Sequence, residues 1–466
     1  MSTPQSSPRS SASPPRKLPT SALRIGIAAA MLGLLYGYDQ SNISVAQLYL
    51  QGDLGLSTEQ VETIATGVTY GTLVGVFLGG YLADRLGRKK STLLVVVGYV
   101  IFCLAQALAL DFTTLMIARV LLGITIGVSL IAVPVFIAES VATRRRGSIL
   151  VGYQVAEVLG IIIALAVGLA LVGVATDYNW RLMFGLAAIP AVLLFPLVLR
   201  SPETARWLML RGRRTEAATV LRQVDPYADV DAVLDSVADE LAEETGGRVR
   251  ELFERPYLRA TVFLIILGLL IQVTGINATI TYGPALFKNM GWIDNFAIGM
   301  NIVVQVCAFL AVLVSMKYVD RWGRRPILIG GFSGLLAGLI LVIIAYAGAV
   351  DGNWLSWQKT VGFIGFIVMN MAFAFGIGGL VWAFASETLP SRLRAFGATT
   401  LLAADLVGNI IVVQSFLSLE QAIGGAQTFG IFAVLCIVAI FFVHRYAPET
   451  KGRDVDAIRL FWENGG

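Results

Sequence analysis

An all-α membrane protein of about twelve transmembrane helices, built as two six-helix repeats, is the fold class that this 466-residue sequence predicts. Three observations lead there. Apolar stretches long enough to cross a bilayer recur twelve times, basic residues crowd onto alternate connections, and short loop motifs of the first half return in the second. Composition bounds the alternatives: the chain is 56% hydrophobic and 14% charged, with a mean hydropathy of +0.75. Soluble domains carry about 45–50% apolar and about 25% charged residues, so lipid must be the solvent for most of this apolar surface.

The apolar stretches lie near 24–50, 60–83, 91–110, 114–138, 148–174 and 182–199, then near 259–287, 297–316, 327–349, 358–386, 397–417 and 427–444. A spanning helix needs about 20 apolar residues, and a helix is the form that satisfies every backbone hydrogen bond within the segment. Residues 1–22 are rich in Ser, Pro and basic side chains without an apolar core, and are expected to be a disordered cytoplasmic tail. Residues 23–200 form the first bundle and 258–446 the second, with a cytoplasmic tail at 447–466. Between the bundles, residues 201–257 are polar, but Val220, Leu221 and Val224, and then Val233, Leu234, Val237 and Leu241, fall at helical spacing. This predicts short amphipathic helices on the cytoplasmic face, too small for a core of their own.

Orientation follows from the charges. Arg85, Arg88, Lys89 and Lys90 follow the second stretch, Arg144, Arg145 and Arg146 the fourth, Arg321, Arg324 and Arg325 the eighth, and Arg392 and Arg394 the tenth. The opposite connections carry mainly Asp53, Asp111, Asp177, Asp351 and Glu420. The positive-inside rule therefore predicts that both termini are cytoplasmic. The halves also repeat. Asp84-Arg85-Leu86-Gly87-Arg88-Lys89 returns as Asp320-Arg321-Trp322-Gly323-Arg324-Arg325, Glu139 before Arg146 as Glu387 before Arg394, and Pro202-Glu203-Thr204 as Pro448-Glu449-Thr450. Two like-oriented halves predict a transporter whose site lies between them.

Other chemistries are excluded by what the chain lacks. Cys103, Cys307 and Cys436 sit singly in apolar stretches as packing residues, and one histidine, His444, leaves no metal site or Cys–His pair. No nucleophile–base pair or phosphate-binding loop stands out, so an enzyme is not expected, and the basic residues set topology rather than bind nucleic acid. Gly123 and Gly127 are read as close helix packing. Two charges do demand an account. Asp39 and Arg119 lie inside spans, where each alone would cost about 2.5–3.5 kcal/mol, so both are expected to face the interior and each other, as a structural ion pair or as a working one. Glu157 is either a further polar contact within the bundle or a packing residue.

With these motifs the chain resembles the sugar porter branch of the major facilitator superfamily along nearly its whole length. The resemblance rests on Gly79 through Lys89, on Pro134-Val135-Phe136-Ile137-Ala138-Glu139 leading to Arg146-Gly147, and on Ser201-Pro202-Glu203-Thr204-Ala205-Arg206-Trp207-Leu208. Gln272-Val273-Thr274-Gly275-Ile276-Asn277, Trp382 through Glu387, and Pro448-Glu449-Thr450-Lys451-Gly452-Arg453 complete it. It implies the major facilitator fold and alternating access. It also implies a cytoplasmic gate of salt bridges among Asp84, Arg88, Glu139 and Arg146 and among Asp320, Arg324, Glu387 and Arg394. In Tyr36-Gly37-Tyr38-Asp39-Gln40-Ser41 it assigns Asp39 the proton of a proton-coupled symporter, with Arg119 beside it.

The implied sugar ligands are Gln40, Gln154, Gln272, Asn277, Trp382 and Asn409: amides both donate to and accept from hydroxyls, and the indole covers the apolar ring face. Departures from the pattern are Ile271 in place of the first of two glutamines, Thr281 for a tyrosine, Ala308 for an amide and Gly379 for a proline. The sharpest is Asp405 for an amide, which suits a polyol, an amino sugar, another cationic solute or, protonated, a neutral one. The expected protein is a monomeric inner- or plasma-membrane symporter of a monosaccharide, polyol or related sugar-like solute, its partners being the substrate, protons and lipid. It needs the proton gradient and no cofactor or metal. The alternatives are an exporter or antiporter of a non-sugar solute and a facilitative uniporter.

Overall fold

The computed structural model describes residues 20–141, 143–174, 178–225, 229–244, 249–255, 257–349, 354–380, 384, 387–451 and 460–463. Most of the expected N-terminal tail, and part of the C-terminal one, lies outside the described residues. The described residues carry helices and no strand. Spans 1 to 6 are Thr20–Asp53, Thr58–Leu86, Arg88–Ala107, Phe112–Ser140, Thr143–Leu171, and Asn179–Leu186 continued by Ala188–Leu199. Spans 7 to 12 are Tyr257–Val273 continued by Ile276–Asn289, then Asp294–Trp322, Arg324–Ala347, a span that includes Ser356–Gly376, Ser391–Ile423 and Gly425–Tyr446. Eleven helices of the described chain are long and apolar enough to cross a membrane. Span 1, which carries Asp39, Gln40, Asn42 and Gln47, is not among them; it is nevertheless buried along most of its length.

Local chemistry sets the ends. Ser57 and Gln60 form a capping box at the start of span 2, and Asp111 with Thr114 does the same for span 4, each satisfying backbone N–H groups that a helix start leaves open. Span 7 breaks at Gly275, whose φ of +83° is left-handed and would drive a Cβ to within 2.3 Å of the Phe432 ring. Its second half thus starts a new helix at mid-bundle.

Packing within the first half rests on small residues. A Cβ at Gly71 would fall 2.0 Å from the Val120 carbonyl, and one at Gly127 2.3 Å from that of Thr72, so spans 2 and 4 approach with their backbones nearly in contact, as read from Gly123 and Gly127. Gly37 meets the Glu157 carbonyl of span 5 in the same way, at 1.8 Å. Large apolar side chains such as Phe77, Ile101, Val434 and Phe441 remain exposed on the outside of the bundle, where hydrocarbon is their natural neighbour. Between the halves, helices Ala205–Leu210, Arg214–Val224 and Val230–Glu244 share a small core of Leu208, Ala217 and Leu234; Val233 stays outside it, exposed.

Candidate functional site: two motif clusters, a mid-bundle polar chain and a seam between halves

At the end of the bundle that carries the basic loops, the repeated motifs assemble into two matching clusters. In the first half, Arg88 donates to Glu139 through Nε (3.1 Å to Oε2) and Nη2 (3.2 Å to Oε1), and through Nη1 to Asp84 (2.9 Å). The Thr204 hydroxyl donates to Glu139 at 2.6 Å, and Arg206 stands 3.8 Å from it. Glu203 accepts from the backbone N–H of Lys89 at 3.1 Å, at the N-terminus of span 3. Burial pushes the Glu203 carboxyl up, while the N–H groups of Lys89 and Thr204 draw it back. In the second half, Arg324 donates to Glu387 at 3.3 Å, the Thr450 hydroxyl donates to Glu387, and Glu449 accepts from the N–H groups of Arg324 (3.0 Å) and Arg325 (3.2 Å).

The repeated Pro-Glu-Thr motif therefore has a definite task. Its Glu caps the helix that follows the Gly-Arg loop, where a carboxylate suits the helix dipole, and its Thr holds the acidic partner of the Arg. The connection needs glycine: Gly87 and Gly323 have φ of +99° and +90°, and a Cβ would fall 2.2 Å from Glu203 Oε2 and 2.7 Å from Glu449 Oε2. Each described pair closes within its own half. Arg394 is exposed and makes no ion pair with a described residue. The side chains of Arg146 and Asp320 lie outside the described residues. Sequence reasoning quoted Glu203, Thr204, Arg206, Glu449 and Thr450 within their motifs but did not assign them to the clusters.

Midway along the bundle, Asp39 is 3% exposed and its Oδ1 has no hydrogen-bond partner; Gln40 Oε1, Ser41 and Asn42 are in the same condition. Arg119 is 1% exposed. The expected ion pair with Asp39 does not form, although the two buried charges lie near enough to act on each other. The Arg119 guanidinium donates to the carbonyls of Ile64 (2.5 Å) and Ala65 (3.4 Å) and to Gln106 Oε1 (3.2 Å), and it lies over the Phe184 ring. Helix carbonyls of span 2 thus do the work expected of a carboxylate, and Asp39 is left with a buried, unpaired oxygen.

In the second half, Asn277 donates to Gln272 Oε1 at 2.6 Å, and Gln272 donates to Asp405 Oδ1 at 2.8 Å. The break at Gly275 puts Gln272 and Asn277 on successive helices facing the same way, and Gly408 lets span 11 come close: a Cβ there would lie 2.9 Å from that of Gln272. Gln154 of the first half approaches the second half at Gly379, where a Cβ would lie 3.7 Å from its Nε2. Asn409 is half-buried on the span that carries Asp405; Trp382 lies outside the described residues.

At the opposite end the halves bond to each other. Glu62 of span 2 accepts from the backbone N–H of Ser418 (2.8 Å) and from its hydroxyl (2.5 Å). Tyr70 donates to Gln414 at 2.9 Å, Gln414 to Thr63 at 3.0 Å and Gln421 to Thr58 at 3.1 Å, while Gln47 of span 1 donates to the Thr281 carbonyl at 2.8 Å. Sequence reasoning missed this seam. Its signal was there, as a stripe of polar residues spaced by a helical turn at 58, 62 and 70 and at 414, 418 and 421.

Known proteins align with the chain along almost all of it. The family model described as "Sugar (and other) transporter" matches residues 25–462. The arabinose-proton symporter of Bacillus subtilis is 30% identical over 94% of this chain and 94% of its own length. The galactose-proton symporter of Escherichia coli K12 is 31% identical over 91% of this chain and 90% of its own. Among solved structures, the xylose transporter of E. coli in an inward-open conformation superimposes with a TM-score of 0.81 at 23% identity, covering 95% of this chain and all of that one. Fold and sequence agree: this chain is an integral, multi-pass membrane protein with the major facilitator fold, and it belongs to the sugar transporter family.

Proposed function

We propose that the protein is a proton-coupled symporter of a monosaccharide, polyol or related sugar-like solute, working by alternating access. One observation carries the reading: Asn277, Gln272 and Asp405 form a hydrogen-bonded chain at mid-bundle, and Tyr36 of the first half lies within electrostatic reach of Asp405. Amides and a carboxylate in that place suit a ligand made of hydroxyls, and a solute held by both halves couples its own passage to their rocking. Asp39 is the proton carrier in this reading. A buried carboxylate with an unpaired oxygen is costly as an anion, so proton uptake and release can follow the side to which the cavity opens. The named relatives, proton symporters of arabinose and galactose, support the same chemistry. Asp405 supports a narrower choice within the class, since an ionised carboxylate accepts only and favours paired hydroxyls or an amino group.

The basic end is assigned to the cytoplasm of a bacterial inner or plasma membrane by the positive-inside rule. The state described then has its outer side fastened by Glu62 and Ser418. The clusters of Asp84, Arg88, Glu139 and Arg146 and of Asp320, Arg324, Glu387 and Arg394 stand at the inner gate. The test is uptake of labelled pentoses, hexoses, polyols and amino sugars into proteoliposomes, with and without an inward proton gradient. Accumulation of one of these above its outside level, only with the gradient, is the expected result. Equilibration without accumulation would make the protein a uniporter, and gradient-driven expulsion an antiporter.

A further inference from the structure

With no ion pair to Arg119, something else must hold Asp39 once it has given up its proton. Most donors near it are already spent. Arg119 gives its guanidinium to the carbonyls of Ile64 and Ala65 and to Gln106, and Tyr38 gives its hydroxyl to the Met183 carbonyl at 3.1 Å. Cys103 lies within electrostatic reach of Asp39, but a thiol is a weak donor. Tyr36 is half-buried, and Asp39 acts on it less than Glu157 and Tyr153 of span 5 or Asp405 of span 11 do. Tyr99 of span 3 is the exception. It is 1% exposed, its hydroxyl has no hydrogen-bond partner among the described residues, and Asp39 acts on it more strongly than Tyr153, Cys103 or Tyr36.

The face of span 3 explains the placement. Tyr99, Cys103 and Gln106 are buried and fall at i, i+4 and i+7, on one side of the helix. Seven residues rise about 10 Å. At one end of this stripe Gln106 receives Arg119, in the middle Cys103 is within reach of both Arg119 and Asp39, and at the other end stands Tyr99. One orphaned atom is a donor, the Tyr99 hydroxyl, and the other an acceptor, Asp39 Oδ1. Packing alone would be served better by phenylalanine, which has no hydroxyl to leave unpaired.

We propose that Tyr99 is a positioning residue for proton coupling, whose phenol donates to the Asp39 carboxylate when it is ionised. The proposal rests on the reading of Asp39 as the proton carrier. The proton itself passes between Asp39 and water, and Tyr99 keeps its own. In the state described the two atoms are not bonded; rotation of the short Asp39 side chain brings them together when the proton leaves. A hydrogen bond that is stronger to the anion than to the acid favours that departure, and the buried charge then has a partner without drawing Arg119 from its three acceptors.

The test is an infrared titration of the purified, reconstituted full-length protein, in which the carboxylic acid band of Asp39 is the one that Asp39→Asn removes. Tyr99→Phe keeps the ring and removes the donor. A hydrogen bond to a charged group is worth about one to two pH units, so the band should persist to a pH higher by that amount in Tyr99→Phe than in the wild-type protein. Tyr38→Phe removes a hydroxyl that is spent on Met183 and should leave the midpoint where it is. An unmoved midpoint in Tyr99→Phe, or equal shifts in Tyr99→Phe and Tyr38→Phe, overturns the role of Tyr99 while leaving Asp39 as the carrier. If Asp39→Asn removes no titrating band, Asp39 is not the carrier, and the proposal falls with that reading.

Discussion

The two motif clusters at the basic end are built from the same duplicated residues, yet they differ in how far they are withdrawn from water. Glu139 has 9% of its side chain exposed and receives two nitrogens of Arg88, the Thr204 hydroxyl and the approach of Arg206. Glu387 has 31% exposed and receives Arg324 at 3.3 Å together with Thr450. The surroundings extend the difference. Trp207 and Arg211 of the linker bond the carbonyls of Asp84 and Arg85, and Arg206 continues to Glu240. In the second half Lys451 reaches the Arg321 carbonyl at 2.6 Å and Arg325 that of His444. Gene duplication supplied one motif, and the central linker, through Arg206, Trp207 and Arg211, has made the first copy the more buried. Among the described residues, the first cluster is the more withdrawn from water.

This contrast can be broken by paired substitutions. Removing one partner of a buried ion pair costs about 3–5 kcal/mol, whereas a more exposed pair is worth about 0–1 kcal/mol. Glu139→Ala should therefore lower the unfolding midpoint of the detergent-purified protein far more than Glu387→Ala. Equal midpoints would show that the two clusters are equivalent in energy. A smaller effect sharpens the same comparison. Gly87→Ala and Gly323→Ala both place a side chain in a backbone region costing about 1–3 kcal/mol. Gly87→Ala adds the closer clash, 2.2 Å against 2.7 Å. It should be the worse expressed and the less stable of the two, and the reverse order would contradict the ranking.

Much of the fold was legible because lipid enforces a simple rule. An apolar run of about 20 residues has few alternatives to a spanning helix, and all twelve stretches fall on described helices or include them. The breaks inside spans 6 and 7 were not legible, since Ala187 and Gly275 sit within stretches that each read as one span and hydropathy is blind to backbone angles. Motifs located the clusters but not their wiring. Lys89 and Glu203 are 114 residues apart, and no linear pattern says that a carboxylate after span 6 caps span 3. For Arg119, the expectation considered side-chain partners alone; carbonyls of span 2 supplied the acceptors. Gln272, Asn277 and Asp405 were found by type and position, and their chain of bonds depends on the helix break.

The central claim is that the proton and the solute are coupled through Asp39, whose buried Oδ1 has no hydrogen-bond partner among the described residues. Its most direct test is sugar movement in proteoliposomes holding either the wild-type protein or Asp39→Asn, each assayed for gradient-driven accumulation and for exchange of labelled against unlabelled solute. The wild-type protein should do both. Asp39→Asn should lose accumulation and keep exchange, because the amide preserves shape and hydrogen bonding but carries no titratable proton. Accumulation at the wild-type level in Asp39→Asn would contradict the account and move the coupling site elsewhere.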